Sequence, residues 1–176
     1  MRIEREHTAA IVVDYQEKLM PVMNEKESLI HHSEILLKGL KILDVPMYIT
    51  QQYTKGLGTS IKEITDAVES TEYTDKLAFN AYECVADKIT GKKYIIVCGI
   101  EAHICVLQTV IDLKAAGYIP VLVADCISSR KESDKQVALE RARQEGAIVT
   151  TYESILFELL RVAGTDTSKQ IQKLIR

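Results

Sequence analysis

The sequence predicts a three-layer α/β/α architecture built on a doubly wound, mostly parallel sheet of five to six strands. Short apolar runs rich in β-branched residues recur along the chain, and amphipathic helical patterns separate them. Near-continuous apolar strands joined by helices are typical of parallel sheets that are covered on both faces, with right-handed crossovers. The chain length of 176 residues suits one domain with a sizeable core, which we expect to span residues 1–176.

The predicted elements alternate along the chain. The strands share an apolar, β-rich composition and lie at residues 9–13, 47–51, 94–98, 120–124 and 147–150. The helical patterns lie at about residues 28–43, 60–68, 82–90, 103–116, 133–145 and 152–162. Gly91, Gly117 and Gly146 directly follow three of these helices, where a left-handed C-cap favours glycine. Ligands of such sheets bind beyond the carboxyl ends of the strands, so a site is expected at that edge.

The bulk composition is that of an ordinary globular protein. The hydrophobic content is 47%, and the formal net charge of -3 gives no reason to expect nucleic acid as a partner. The N-terminus is charged and no apolar run reaches the length of a membrane span, so we expect no signal peptide, no membrane partner and a cytoplasmic location. The cysteines show no paired spacing, which indicates free thiols at Cys84, Cys98, Cys105 and Cys126.

The most informative segment runs from residue 94 to residue 106. Its β-branched run stops at Gly99, and Cys105 then falls in the first turn of a predicted helix. Unpaired N–H groups and the positive end of the helix dipole favour a thiolate there, so we expect a pKa below the ~8.5 of a free cysteine. The same N–H groups can hold the oxyanion formed when a thiolate attacks a carbonyl. A buried structural cysteine is the alternative, and Cys126 is the rival nucleophile.

Two further residues favour catalysis over packing. Asp14 directly follows the first predicted strand, and Lys76 follows a polar stretch. An acid, an amine and a thiol are together what amide hydrolysis through a thioester needs, because the carboxylate carries the proton and the ammonium stabilises the thiolate. Taken singly, Asp14 could equally be a helix N-cap, and Lys76 could be a solvated charge.

Three blocks of the chain resemble the signature motifs of the isochorismatase-like cysteine hydrolases, a family that includes nicotinamidases and N-carbamoylsarcosine amidase. They are residues 12–16 (VVDYQ), 75–80 (DKLAFN) and 99–106 (GIEAHICV). The resemblance runs from about Thr8 to Leu160 and implies the family's Rossmann-like hydrolase fold.

The same resemblance implies roles for particular residues. Cys105 would be the nucleophile, Asp14 the general acid/base and Lys76 the third member of the triad. It further implies a cis peptide between Ile100 and Glu101, through which the amides of Glu101 and Cys105 would form the oxyanion hole.

One departure from the family bears on cofactors. Nicotinamidases carry an Asp-x-His…His metal site after the second strand, whereas residues 50–58 (TQQYTKGLG) contain no histidine here. The four histidines of the chain do not pair with carboxylates at ligand-like spacing, so we expect no metal and no other cofactor. True isochorismatases cleave a vinyl ether and lack the family's thiol, so the retained Cys105 favours C–N bond hydrolysis.

Four residues are predicted to contact the substrate. Gln16 and Ile100 lie in the family blocks, and Tyr53 and Phe79 flank an irregular loop that could shape a pocket. Phe79 could equally be a core aromatic. Residues 128–130 (SSR) could orient a substrate or begin a helix.

The sequence therefore predicts a cysteine hydrolase that acts on an amide or carbamoyl-type C–N bond of a small molecule through a thioester. The alternative is a catalytically silent scaffold or binding protein of the same fold. A nucleotide-binding domain would need a glycine-rich turn after the first strand, and residues 14–20 contain no glycine. We also expect a homo-oligomer, a dimer or higher, with an exposed apolar strip in the 103–117 helix or in the segment 167–176.

Overall fold

The computed structural model describes residues 1–176 and contains one six-stranded, all-parallel sheet with helices on both sides. The strands are β1 Thr8–Val13, β2 Met47–Gln52, β3 Thr74–Lys76, β4 Tyr94–Ile100, β5 Ile119–Ser128 and β6 Ile148–Thr150. Their order across the sheet is β3-β2-β1-β4-β5-β6. The predicted doubly wound fold is confirmed, and the chain reverses its winding direction between β1 and β4, where ligands bind in such sheets.

The helices cover both faces of the sheet. They are α1 Lys26–Ile42, α2 Thr54–Leu57, α3 Lys62–Val68, α4 Leu107–Ala115, α5 Glu132–Gln144, α6 Tyr152–Leu160 and α7 Asp166–Ile175. The helix predicted at residues 82–90 is a 3-10 helix, Glu83–Ile89, and the helix predicted from residue 103 begins as a π-helical turn, Ala102–Val106, that runs directly into α4. None of these helices is both long and apolar enough to span a membrane.

Strand β3 is the one strand that the sequence did not predict. It is a three-residue edge strand of polar residues that pairs only with β2, from Thr50↔Thr74 to Gln52↔Lys76. An edge strand this short lacks the apolar run by which buried strands are predicted. Its consequence for the site is large, because it brings Lys76 to the same sheet edge as Asp14.

The core has one half on each face of the sheet. Alternate residues of β1 divide between the halves: Ala10 and Val12 pack on one side, and Ala9, Ile11 and Val13 on the other. Both central strands, β1 and β4, are buried along their whole length. The carboxyl ends of these rigid strands therefore form a fixed platform for the residues that follow them.

The expected apolar strip does not lie where the sequence placed it. Helix α7 buries Ile171 in the core and packs against α1. Helix α4 buries Val110 and Leu113, and neither helix carries a large exposed hydrophobic side chain. The amphipathic pattern of both segments serves packing within the chain. The large exposed hydrophobic side chains are Met1, Val22, Tyr53, Tyr73, Leu77, Phe79, Val137, Phe157 and Val162.

Candidate active site

Asp14 stands at the carboxyl end of β1, where the chain turns with a φ of 53°. Its side chain is fully buried, and its Oδ1 atom accepts a 2.8 Å hydrogen bond from Thr50 Oγ1 on β2. The Oδ2 atom lies 2.7 Å from Lys76 Nζ and accepts no hydrogen bond of good geometry. No helix begins at Asp14, so the helix-cap alternative is wrong.

Burial raises the pKa of Asp14, and the charge of Lys76 together with the Thr50 hydrogen bond opposes part of that rise. A carboxylate whose pKa is raised is a stronger base and holds more of the proton near neutral pH, which suits a group that must accept a proton and later return it.

Lys76 is not a solvated charge, because only 2% of its side chain is exposed. Its ammonium group lies 2.7 Å from Asp14 Oδ2 and donates to Gln52 Oε1 at 2.6 Å. It also donates to Phe79 O at 2.9 Å and, less closely, to Ala78 O at 3.3 Å. A buried ammonium needs such partners to offset the loss of water. These contacts fix the positive charge beside the carboxylate.

Cys105 lies in the π-helical turn and is 6% exposed. The charges of Asp14, just after β1, and of Lys76, the last residue of β3, both act on its thiol. Burial raises the pKa of Cys105 to about 12; the negative charge of Asp14 adds to the rise, and the charge of Lys76 opposes it. The low pKa expected from the sequence is therefore wrong for the free protein. Desolvation and the neighbouring carboxylate outweigh the helix end, and the proton rests on sulfur beside a group that can remove it.

The turn between β4 and Cys105 has an unusual backbone. The predicted cis peptide between Ile100 and Glu101 is confirmed. The N–H groups of Ile104 and Val106 donate to Glu101 O at 3.1 and 3.2 Å. In contrast, the N–H group of Glu101 donates to no carbonyl or side chain of the protein. That N–H is free to bind an oxygen atom of a ligand.

Gly99 allows β4 to approach β1 closely just before this turn. Its φ is +130°, and a Cβ atom there would lie 2.0 Å from Val13 O. A side chain at position 99 would therefore push apart the ends of the two strands that carry Asp14 and the turn.

The loop after β5 stabilises the turn between β4 and Cys105. Ser129 Oγ and His103 Nδ1 are 2.9 Å apart, and Arg130 donates to Glu101 Oε2 through Nε at 3.0 Å and through its N–H at 3.2 Å. Helix α5 begins only at Glu132, so residues 128–130 do not start a helix.

Two of the predicted substrate contacts have other uses. The amide of Gln16 donates to Gln52 O at 2.9 Å and to Gly58 O at 2.8 Å, while its oxygen accepts from Gln52 N–H at 2.7 Å. Because both of its donor hydrogens are used, Gln16 holds the loop after β2 instead of facing a ligand. The Ile100 side chain is fully buried in the core and lines no site.

Tyr53 and Phe79, the other two predicted substrate contacts, lie next to the buried lysine and are 49% and 53% exposed. Tyr53 N–H donates to Lys76 O at 2.9 Å, and the carbonyl of Phe79 accepts from the ammonium. Phe79 is therefore not a core aromatic, and both rings are accessible beside the site.

Cys126 is not a rival nucleophile. It lies within β5, is fully buried, and its pKa is raised well above the usual value by burial. The charges of Asp14 and Lys76 also act on the thiol of Cys84, which is half-buried with its Sγ 3.3 Å from Ala81 O.

His7 and His31 are exposed, whereas His32 and His103 make contacts within the chain. The ring of His32 stacks on Tyr152 at 5.0 Å, and no group of three or more His, Cys, Asp or Glu side chains lies together as a metal site would need.

The sequence did not identify Thr50 and Gln52, which hold Asp14 and Lys76. Thr50 lies within the second predicted strand and Gln52 directly follows it, so a β1–β2 pairing inferred from the chain order would have placed them beside Asp14.

A model of the isochorismatase domain matches residues 8–154. The secreted isochorismatase effector Isc1 of Phytophthora sojae is 34% identical, over 97% of this chain and 85% of its own. The isochorismatase domain-containing protein 2A of Mus musculus is 33% identical, over 99% and 85%.

Two solved structures share the fold closely. The MAR1 ribonuclease from Caenorhabditis elegans is 34% identical with a TM-score of 0.93, covering 99% of this chain and 92% of that one. The YcaC gene product from Escherichia coli, described as an octameric hydrolase of unknown specificity, is 22% identical with a TM-score of 0.90, covering 99% and 90%.

Proposed function

Because this chain belongs to the isochorismatase family, we propose that it is a hydrolase that cleaves an amide or carbamoyl-type C–N bond of a small molecule through a thioester on Cys105. The main support is the buried pair of Asp14 and Lys76, 2.7 Å apart, whose charges both act on the Cys105 thiol. A buried ion pair is of little use to stability alone, whereas a base and a cation beside a thiol are what nucleophilic catalysis requires.

In the acylation step, the Asp14 carboxylate accepts the Cys105 proton as the sulfur attacks the carbonyl carbon. The carbonyl oxygen becomes an oxyanion, which the N–H groups of Glu101 and Cys105 would hold. The protonated Asp14 then gives its proton to the leaving nitrogen, the C–N bond breaks, and an amine and a thioester remain.

In the deacylation step, a water molecule attacks the thioester carbon while Asp14 again accepts a proton. The C–S bond breaks, the acid product leaves, and the proton returns to Cys105. The ammonium group of Lys76 stabilises both the carboxylate and the developing thiolate. Because burial and Asp14 raise the pKa of the Cys105 thiol, the proposed mechanism has Asp14 remove its proton as the sulfur attacks.

A ribonuclease is the second candidate function, because the Caenorhabditis elegans relative is described as the MAR1 ribonuclease. The low exposure of Cys105, at 6%, favours a small substrate over a polymer. A catalytically silent scaffold is the third possibility.

One assay separates these candidates. A panel of small amides and ureas is tested for ammonia or amine release, and RNA for cleavage, with the wild type and with Cys105→Ala. Amide hydrolysis that is lost in Cys105→Ala is the expected result. RNA cleavage without amide hydrolysis would favour the nuclease, and neither activity would favour the scaffold.

We also propose that residues 1–176 act as one domain and assemble into a homo-oligomer, a dimer or higher. Support comes from the octameric relative of Escherichia coli and from exposed apolar side chains such as Val137 and Phe157. Light scattering at micromolar concentration tests the assembly, and a monomer would contradict it.

A further inference from the structure

Thr109 lies in the first turn of α4, one helical turn after Cys105, and is fully buried. Its hydroxyl donates to Cys105 O at 2.6 Å and accepts from Ala81 N–H at 2.8 Å. Its hydroxyl hydrogen and one of its lone pairs are thereby used by the backbone of two separate segments.

The segment that Thr109 holds is the one that supports the lysine. Ala78 O and Phe79 O both accept from Lys76 Nζ, at 3.3 and 2.9 Å, and Ala81 follows two residues after Phe79. The Thr109 hydroxyl therefore joins the turn that carries the thiol to the segment that fixes the ammonium group.

We propose that Thr109 is a positioning residue that sets the distance between the Lys76 ammonium group and the Cys105 thiol. This inference rests on the proposed roles of Cys105 and Lys76. Thr109 itself touches no reacting atom and acts only through the backbone groups of Ala81 and Cys105.

Loss of the hydroxyl has a defined consequence. Ala81 N–H would be left buried without an acceptor, so the segment 78–81 would move to satisfy it and loosen the carbonyl contacts of Lys76. The charge of Lys76 lowers the pKa of both Asp14 and Cys105. A looser ammonium group therefore raises both pKa values, and attack by the sulfur shifts to higher pH.

The test compares Thr109→Val, which keeps the shape but lacks the hydroxyl, with Thr109→Ser, which keeps the hydroxyl. The rate of Cys105 alkylation by iodoacetamide is measured across pH by peptide mass spectrometry, with circular dichroism to show that each variant is folded. We expect Thr109→Val to react about tenfold more slowly near neutral pH, with its profile moved up by about one pH unit. Thr109→Ser should stay within about twofold of wild type.

A folded Thr109→Val protein with the wild-type pH profile would overturn the proposal. Equal slowing in both variants would also overturn it, because Thr109→Ser retains the hydroxyl. If Thr109→Val does not fold, hydrogen exchange of the wild-type protein decides: the Ala81 amide should be strongly protected, and exchange at the rate of an unbonded amide would overturn the proposal. Because alkylation needs no substrate, the same assay separates the two proposals. An unreactive Cys105 in the wild type would contradict the proposed function. A reactive Cys105 whose pH profile is unchanged by Thr109→Val would contradict only this inference.

Discussion

Replacing Lys76 by methionine removes the positive charge from the site while keeping most of the side-chain volume. The lysine side chain is 2% exposed and the Asp14 side chain is fully buried, so water screens their interaction little. Removing one partner of a buried ion pair typically costs about 3–5 kcal/mol, because the remaining charge is left without compensation. Gln52 Oε1 and Phe79 O also lose their donor. We therefore expect the free energy of unfolding to fall by about 3–5 kcal/mol at neutral pH.

The loss should depend on pH in one direction. Burial raises the pKa of Asp14 in the folded protein above the ~3.9 of the unfolded chain, and Lys76 opposes that rise. Without Lys76 the folded pKa rises further. A group with a raised folded pKa contributes stability at pH values below its unfolded pKa, and this contribution is lost as pH rises through the folded pKa. The deficit of Lys76→Met should therefore be largest at neutral pH and shrink toward about pH 4.

Urea unfolding monitored by circular dichroism, at about pH 8 and about pH 5, measures both effects. The Asp14→Asn/Lys76→Met double variant is the first control and should be more stable at neutral pH than Lys76→Met alone. Lys62→Met is the second, since the Lys62 side chain is 81% exposed in a surface pair and its loss should change stability little. A Lys76→Met protein within about 1 kcal/mol of wild type at both pH values would refute the reasoning.

Three further predictions concern the base, the turn and cofactors. Thr50→Val removes the hydrogen bond that lowers the pKa of Asp14, so the acid limb of the pH–rate profile should move to higher pH, whereas Thr50→Ser should keep it; an unmoved limb would contradict this. Gly99→Ala places a Cβ 2.0 Å from Val13 O at a φ of +130° and should cost roughly 3 kcal/mol or more by thermal or urea unfolding. Gly91→Ala, with open space around its Cβ, is the matched control and should cost only about 1–2 kcal/mol; equal losses would argue against the close approach. Activity should be unchanged in EDTA, and activity lost in EDTA but restored by zinc would show a metal requirement.

The fold was largely readable from the sequence because its central strands are buried on both faces. β1 and β4 are apolar runs that end at Asp14 and near Gly99, and that is where both site segments begin. β3 was missed since a polar edge strand of three residues is specified by its pairing with β2 and not by its composition.

The sequence predicted that the three residues of the proposed triad lie together, but it did not predict their electrostatics. Asp14, Lys76 and Cys105 do come together, yet the helix position of Cys105 suggested a low pKa, and the structure raises it to about 12. Desolvation and the approach of Asp14 are set by packing between distant segments, which local sequence does not reveal. Local sequence likewise does not reveal that the Gln16 amide forms hydrogen bonds with backbone groups of the loop after β2.

The most direct test of the central claim is a competition between thiols in the wild-type protein. Cys84 is half-buried and Cys105 only 6% exposed, so accessibility alone would make Cys84 react first with iodoacetamide. If Asp14 removes the thiol proton during attack, Cys105 should be alkylated first, well ahead of Cys84, and Cys98 and Cys126 should remain unlabelled in the folded protein. Peptide mapping by mass spectrometry over time gives the order of labelling. Labelling of Cys84 ahead of an inert Cys105 would contradict the assignment of Cys105 as the nucleophile.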